Sequence, residues 1–271
     1  MMRIAASIYL NSAPLVYSFS TGSRRRRTRF LGDKAPSRCA QMLEGGLCDA
    51  ALIPVIEYLR IPDLLVVPRV AVASKQKVRS VLVASRGPLE DVRSVALDSS
   101  SRTSQTLLRV LFKHKYRVEP VFSERTPDAS VAFENMFEGN DAALIIGDPA
   151  MRLAASAEKL GLKIYDLADE WRAMTGLPFV FAIWATNPTA IDAFPNLVRE
   201  FQQAKTEGLD HLDEIVAHYS ETLQLPQAEL LSYLQVNVNF DLDNDNLAGM
   251  THFFNLAEEC GLAVNRKVEF A

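Results

Sequence analysis

The sequence has few cysteines and no long apolar run. Only three cysteines occur in 271 residues, at Cys39, Cys48 and Cys260, and no two of them form a Cys-x-x-Cys pair. An odd number of widely spaced cysteines is typical of free thiols in a reducing compartment. No apolar run reaches the length of a membrane-spanning helix. The composition therefore excludes a disulfide framework and predicts no membrane insertion.

The N-terminal segment lacks the features of a secretory signal. Arg3 precedes a short apolar run from Ile4 to Leu10, and the residues from Asn11 to Pro14 contain no small-x-small cleavage site. Such a run is short for the apolar region of a signal peptide. We expect instead that residues 3–9 form the first core strand and that the protein is cytoplasmic.

Motifs for metal, nucleotide or nucleic-acid binding are also missing from the sequence. The four histidines show neither His-x-x-x-His spacing nor a nearby cysteine motif. Neither a glycine-rich phosphate loop nor a Gly-x-Ser-x-Gly elbow occurs. The formal net charge of −4 gives the molecule no overall attraction for nucleic acid. We therefore expect neither a metal site nor a nucleic-acid partner.

Four consecutive arginines, Arg24 to Arg27, form a strongly basic segment in a chain whose net charge is negative. No aromatic residue lies among them, and they connect a Gly/Ser turn to a predicted strand at residues 29–31. This setting favours a solvated connection over a nucleic-acid or localisation motif.

What is present is the composition of a globular protein, with 48% hydrophobic and 23% charged residues. The length suits one large domain or two medium ones. Strands are predicted at residues 3–9, 29–31, 49–55, 64–67, 78–84, 95–97, 141–145, 163–167 and 177–185. Helices are predicted at residues 15–19, 36–44, 105–112, 130–137, 151–160 and 169–176, and again from near Pro195, Asp210, Pro226 and Asp243. Alternating strands and helices indicate parallel sheets with covered faces.

One unit of sequence occurs twice. Residues 42–45 read Met-Leu-Glu-Gly and are followed by Asp-Ala-Ala-Leu-Ile at residues 49–53. Residues 136–139 and 141–145 repeat these two segments with one substitution, Leu to Phe, and with a shorter connection between them. The repeat predicts two similar α/β lobes. We assign residues 1–84 and 186–271, with the C-terminal helices, to lobe one, and residues 85–185 to lobe two. The two crossings between lobes, Val81 to Ser85 and Leu177 to Thr186, would form a two-segment hinge.

The hydroxyl-rich loop from Ser99 to Ser104 follows the predicted strand at residues 95–97 and precedes a helix. Ser101 is a candidate N-cap, because its side-chain oxygen can accept a hydrogen bond from the first turn. The free amides and the helix dipole at such a terminus can bind a carboxylate or phosphate. The alternative is that these residues only cap the helix and fill a turn.

A second polar turn, Asn11 and Ser12, follows the first strand in the same way. Two such turns facing one another would form a cleft between the lobes. Each candidate also has a structural explanation: Asn11 and Ser12 can shape a turn, and Ser37 or Asp148 can cap a helix. Gly147 can be present for its backbone freedom.

Several blocks of the sequence together resemble one family. Tyr9 to Leu15, Pro36-Ser37, Asp49 to Pro54, Ser101 to Ser104, Ile145 to Asp148, Glu170-Trp171 and Thr175 to Ala182 are similar to blocks of the chorismate dehydratases of the futalosine route to menaquinone. They occur in the family's order over nearly the whole chain. The resemblance implies the fold of type-2 periplasmic binding proteins, two lobes with a cleft between them. Arg24 to Arg27 match no block of that family.

The resemblance implies a lyase that removes water from chorismate, giving 3-[(1-carboxyvinyl)oxy]benzoate without a metal or organic cofactor. On this hypothesis Asn11 and Ser101 are the catalytic residues, which orient the leaving hydroxyl or the substrate carboxylates. The substrate-binding residues would be Ser12, Ser37, Ser99, Thr103, Ser104, Gly147 and Asp148. The proton acceptor is either a substrate carboxylate or Asp148.

The alternative to an enzyme is a non-catalytic solute-binding protein with the same two-lobed fold. It would need export or a lipid anchor, and the sequence shows a motif for neither. A sensing domain of a transcriptional regulator would need a DNA-binding domain, for which no segment is left.

Overall fold

The computed structural model describes residues 1–128 and 133–271, which form an α/β fold. Its ten strands are β1 (Met2–Ser7), β2 (Thr28–Asp33), β3 (Ala50–Pro54), β4 (Leu65–Ser74), β5 (Val81–Ser85), β6 (Ser94–Asp98), β7 (Val121–Arg125), β8 (Ala142–Ile146), β9 (Lys163–Asp166) and β10 (Phe179–Thr186). They form two five-stranded sheets, ordered β2-β1-β3-β10-β4 and β7-β6-β8-β5-β9. Each sheet is the centre of one lobe.

The helices lie on the faces of these sheets. They are α1 (Ala13–Ser20), α2 (Pro36–Glu44), α3 (Glu57–Arg60), α4 (Arg102–Leu111), α5 (Glu134–Phe137), α6 (Gly147–Ser156), α7 (Leu167–Thr175), α8 (Pro188–Ala193), α9 (Leu197–Asp210), α10 (Leu212–Leu223), α11 (Gln227–Ser232) and α12 (Asn244–Glu259). The helix predicted at residues 130–137 is described from Glu134 onward, and residues 130–132 lie outside the described part. Helices α3 and α8 and strand β7 are not among the elements predicted from the sequence.

The two sheets have the same topology, which confirms the duplication predicted from the repeated unit. In the first sheet β1 pairs in parallel with β2 and β3, and in the second β6 pairs in parallel with β7 and β8. The repeated Asp-Ala-Ala-Leu-Ile segments occupy matching positions, since Ile4 pairs with Ala50 and Val95 pairs with Ala142. The loops after β1 and β6 are therefore structural equivalents.

The expectation of parallel sheets is wrong for one strand in each lobe. Strand β10 runs antiparallel to both β3 and β4, and β5 runs antiparallel to both β8 and β9. These are the two segments that we predicted as crossings between the lobes. Both are central strands within a sheet, so the chain passes between sheets in residues 75–80 and 167–178. We propose lobe boundaries at these two connections.

The four arginines do not all lie in a solvated connection, so that prediction is wrong for Arg24. Its side chain is buried and forms ion pairs of 2.6 Å with Glu200 and 2.8 Å with Glu207, both on α9. Burial opposes ionisation of Glu207, but hydrogen bonds from Ser23 and Ser18 and the charge of Arg24 lower its pKa to about 2. Arg24 thus anchors the end of α1 to α9, whereas the next three arginines are exposed.

The C-terminal helices complete the first lobe and also contact the second. Helix α9 packs on α1, and it does so closely, because a Cβ added to Gly208 would lie 1.7 Å from the carbonyl oxygen of Pro14. Helix α12 packs on β10 and on α4 of the second lobe. One hydrophobic cluster includes Ile53, Val83 and Phe253 and so continues from one sheet to the other. Among the described helices, none has both the length and the apolar character needed to cross a membrane.

Candidate active site

The loops after β1 and β6 meet at a small cavity between the sheets, with a volume of about 50 Å³. Its polar wall consists of Ser7, Tyr9, Asn11, Ser12, Ser101 and Ser104. Its other walls are mostly apolar and contain Pro36, Leu52, Pro54, Val72, Val81, Ile146, Gly147, Phe181 and Ala182. Among the residues that the structure describes, no charged side chain lines the cavity. An anion bound there would depend on hydroxyls, amides and helix dipoles.

The N-terminus of α4 supplies the hydroxyls of the second lobe. Ser101 is the N-cap, as predicted, and its hydroxyl oxygen accepts a hydrogen bond of 3.4 Å from the backbone N–H of Ser104. The Ser101 hydroxyl donates in turn to the Ser104 hydroxyl at 2.8 Å. Since Ser104 accepts in this pair, its own hydroxyl proton is left to point toward a ligand. The positive end of the α4 dipole faces the same space.

A buried aspartate fixes the loop that precedes this helix terminus. Asp98 ends β6, and one of its carboxylate oxygens accepts from the backbone N–H and the hydroxyl of Ser100 at 2.9 and 2.6 Å. The other accepts from the backbone N–H of Ile146 at 3.4 Å, which ties the loop to β8. Burial raises the pKa of Asp98, whereas the hydrogen bonds from Ser100 lower it. The hydroxyl loop is therefore held rigidly.

Asn11 and Ser12 differ in what their side chains do. Ser12 is buried, and its hydroxyl lies 2.7 Å from the carbonyl oxygen of Ser7 and 2.9 Å from that of Tyr9, so it stabilises the turn after β1. Asn11 lines the cavity, and no side chain or backbone group in the described part of the chain forms a hydrogen bond with its side-chain amide. Asn11 thus presents a free donor and a free acceptor to a ligand.

Two further candidates lie at contacts between the lobes, not in the cavity. The hydroxyl oxygen of Thr103 accepts from the backbone N–H of Ile56 at 3.2 Å. The backbone N–H of Ser37 donates to the carbonyl oxygen of Ser100 at 3.2 Å. Both bonds join the first lobe to the loop and helix that follow β6. These residues hold the lobes together beside the cavity.

Ser99 and Asp148 also lie outside the cavity. The Ser99 hydroxyl is 3.1 Å from that of Thr126 at an exposed position, so it is directed away from the other candidates. Asp148 lies in the first turn of α6 but does not cap it; its Oδ1 accepts from the backbone N–H of Leu10 in the first lobe at 3.0 Å. Burial raises the pKa of Asp148 to about 6, although the bond from Leu10 lowers it.

The structure therefore brings together Asn11, Ser12, Ser101, Ser104 and Gly147. The sequence patterns predict no role for Ser7, for Tyr9 or for the apolar wall. Ser7 ends the strand equivalent to β6, and that position could have been noticed from the repeat. In the described residues, no three histidine, cysteine, aspartate or glutamate side chains lie close enough together to hold a metal ion.

Comparison with known proteins places this arrangement in a family. The sequence model of the family described as "Menaquinone biosynthesis" matches residues 2–259. A curated relative, the chorismate dehydratase of Thermus thermophilus, is 29% identical over 244 residues, which cover 84% of this chain and 85% of that protein.

Solved structures support the fold. The alkanesulfonate-binding protein SsuA of Xanthomonas axonopodis pv. citri, bound to MOPS, aligns with a TM-score of 0.72 at 17% identity, over 98% of this chain and 95% of that one. A Candida albicans gene product described as having the generic periplasmic binding protein fold aligns with a TM-score of 0.70 at 13% identity, over 98% and 92%. The predicted two-lobed fold is confirmed. Since the family model spans residues 2–259, the chain belongs to the menaquinone biosynthesis family.

Proposed function

We propose that this protein is an enzyme of menaquinone biosynthesis, a hydro-lyase that converts chorismate to 3-[(1-carboxyvinyl)oxy]benzoate in the cavity between its lobes. The observation that carries the proposal is the unpaired amide of Asn11, which shares one cavity with the hydroxyls of Ser101 and Ser104. The name of the Thermus thermophilus relative supports the choice of substrate.

The substrate has two carboxylates, and the cavity offers neutral groups for binding them. We assign one carboxylate to the N-terminus of α4, where the Ser104 hydroxyl and the backbone N–H of Thr103 would donate. The Thr103 hydroxyl already accepts from Ile56, so this residue would contribute through its backbone. Asn11 would bind the leaving hydroxyl or the second carboxylate from the first lobe.

The reaction removes a proton from one ring carbon and hydroxide from the next. The electrons of the broken C–H bond form a new ring double bond, and the C–O bond breaks with its electrons on the departing oxygen. Loss of water makes the ring aromatic, so the chemical step is strongly downhill, and the protein's tasks are to orient the substrate and exclude water.

We propose a substrate carboxylate as the proton acceptor. Asp148, the other candidate, lines a larger groove outside the cavity and is held there by the backbone of Leu10. A cavity of about 50 Å³ has room for a few waters and not for a substituted ring. The lobes must therefore separate to admit substrate and close again around it.

The decisive experiment uses the purified full chain and chorismate. We expect the ultraviolet spectrum to change from that of the diene to that of an aromatic ring, with a product lighter by one water in the mass spectrum. Calorimetric binding of chorismate without any product would support the alternative, a non-catalytic carboxylate-binding protein, which the resemblance to the alkanesulfonate-binding protein favours. Neither binding nor turnover would refute both. The cytoplasmic location stays a prediction.

A further inference from the structure

A second, larger opening lies beside the cavity. It is a groove of about 760 Å³ between α1, α6 and α10, within the size range of small-molecule sites. Tyr17, Phe30, Asp148, Arg152, Glu214 and Tyr219 are among the residues that line it. Of all the described residues, Tyr9 alone lines both the groove and the cavity. Its side chain therefore forms the partition between the two spaces.

The ring of Tyr9 lies directly against the backbone of the second lobe. Gly147 has a φ of +66°, and a Cβ built there would lie 2.8 to 2.9 Å from three atoms of the Tyr9 ring. Such distances are closer than a real Cβ tolerates, so a glycine at this position allows the ring to touch the main chain. The backbone of Gly147 thus limits how far the Tyr9 ring can move toward the second lobe.

The two peptides beside Tyr9 are bound to different lobes. The carbonyl oxygen of Ile8 accepts from the Tyr219 hydroxyl on α10 of the first lobe, at 2.8 Å. The backbone N–H of Leu10 donates to Asp148 on α6 of the second lobe, at 3.0 Å. Separation of the lobes would remove Asp148 and Gly147 together. The hydrogen bond between Leu10 and Asp148 and the contact between the Tyr9 ring and Gly147 would be lost in one movement.

We propose that Tyr9 is a gate between the groove and the cavity, and that the groove is the route by which a ring dicarboxylate reaches the cavity and leaves it. The identity of that ligand rests on the proposed function, whereas the gate itself rests on geometry alone. With the lobes closed, the ring seals the cavity from the groove. With the lobes apart, the ring is free to swing and the two spaces join.

Thiol accessibility tests the gate without requiring any enzymatic activity. Ala182 lines the cavity wall and belongs to neither the hydroxyl loop nor the turn at Asn11. We would introduce Ala182→Cys in a chain whose partly exposed Cys260 is replaced by serine, since Cys39 and Cys48 are buried. The probes are methyl methanethiosulfonate and the larger benzyl methanethiosulfonate.

With Tyr9 intact, we expect slow labelling of Ala182→Cys and strong discrimination against the larger probe. Adding Tyr9→Ala should raise the rate for the larger probe about tenfold or more, the factor expected for a barrier change of about 1.4 kcal/mol. Tyr9→Phe should label as slowly as the parent, because the ring remains. Tyr17→Ala is the matched control, since Tyr17 lines the groove only.

Equal labelling of Ala182→Cys with and without the Tyr9 ring would overturn the gate. A faster rate in Tyr17→Ala would do the same, because it would show general loosening. Thermal unfolding of each variant identifies any that is misfolded, and Tyr9→Leu, which also removes the ring, replaces Tyr9→Ala if that variant does not fold. If the labelling comes out as expected but chorismate is not dehydrated, the gate stands and the proposed function fails.

Discussion

Replacing Asn11 by alanine should lower activity without weakening the fold. The amide has no hydrogen-bond partner within the described residues, so its loss breaks no bond of the protein. A hydrogen bond to a charged ligand contributes about 1.5 to 3 kcal/mol, which corresponds to a loss of about tenfold to 150-fold in kcat/KM. The free energy of unfolding should stay within about 0.5 kcal/mol of the parent. The assays are the spectral change of chorismate and denaturant unfolding.

Ser99→Ala is the control for this experiment, because Ser99 belongs to the same group of sequence candidates but faces Thr126 at the surface. Its kcat/KM should equal that of the parent. Asn11→Asp should be worse than Asn11→Ala, since a carboxylate repels an anionic substrate in a cavity without cations. Unchanged turnover in Asn11→Ala, or a large loss in Ser99→Ala, would show that the site is not where we place it.

Three further predictions concern the framework around the site. Arg24→Ala should destabilise the protein by about 2 kcal/mol in urea unfolding at neutral pH, because two partly buried glutamates lose their cation. The part of this deficit that comes from Glu207, whose pKa is lowered to about 2, should shrink as the pH falls from about 4.5 toward 2 and that carboxylate protonates. The exposed Arg26→Ala should stay near the parent. Burial raises the pKa of Asp148 to about 6, so ionisation of this carboxyl destabilises the folded protein above that pH. When the pH is lowered from 7 to 4.5, the free energy of unfolding of the wild type should rise by on the order of 1 kcal/mol relative to that of Asp148→Asn. A relative fall over the same pH range would contradict the burial argument. Gly208→Ala should cost at least about 3 kcal/mol, because the new methyl group meets a backbone carbonyl of α1, whereas Gly87→Ala, with nothing within 4 Å, should cost far less.

The sequence predicted element positions well where local chemistry determines them. Helix α2 runs from Pro36 to Glu44 as expected, because proline favours the first turn and glycine follows the last. The repeated Asp-Ala-Ala-Leu-Ile segments predicted the duplication because they fix the register of equivalent strands. The direction of β10 could not be predicted, because an apolar strand that is buried on both faces has the same hydrophobic pattern whether it runs parallel or antiparallel to its neighbours. Its direction depends on where the connection enters the sheet.

The site was predictable as a set of loops but not as a set of contacts. Ser99 and Ser101 lie two residues apart in one polar run, yet one faces the surface and the other the cavity. That difference follows from where the helix begins, which is fixed to within a few residues at best from sequence. The burial of Arg24 depends on Glu200 and Glu207, which lie far away in the chain. Pattern reasoning over a local window cannot find such partners.

The position of β10 between β3 and β4 has a consequence for the order in which the chain folds. All strands of the second sheet lie between Val81 and Asp166, so this sheet can form as soon as that segment has left the ribosome. The first sheet lacks an interior strand until residues 179–186 are made. Until then β3 and β4 present unpaired edges, which invite aggregation. Synthesis therefore completes the second lobe before the first, and a chain ending before Phe179 would leave the first lobe open.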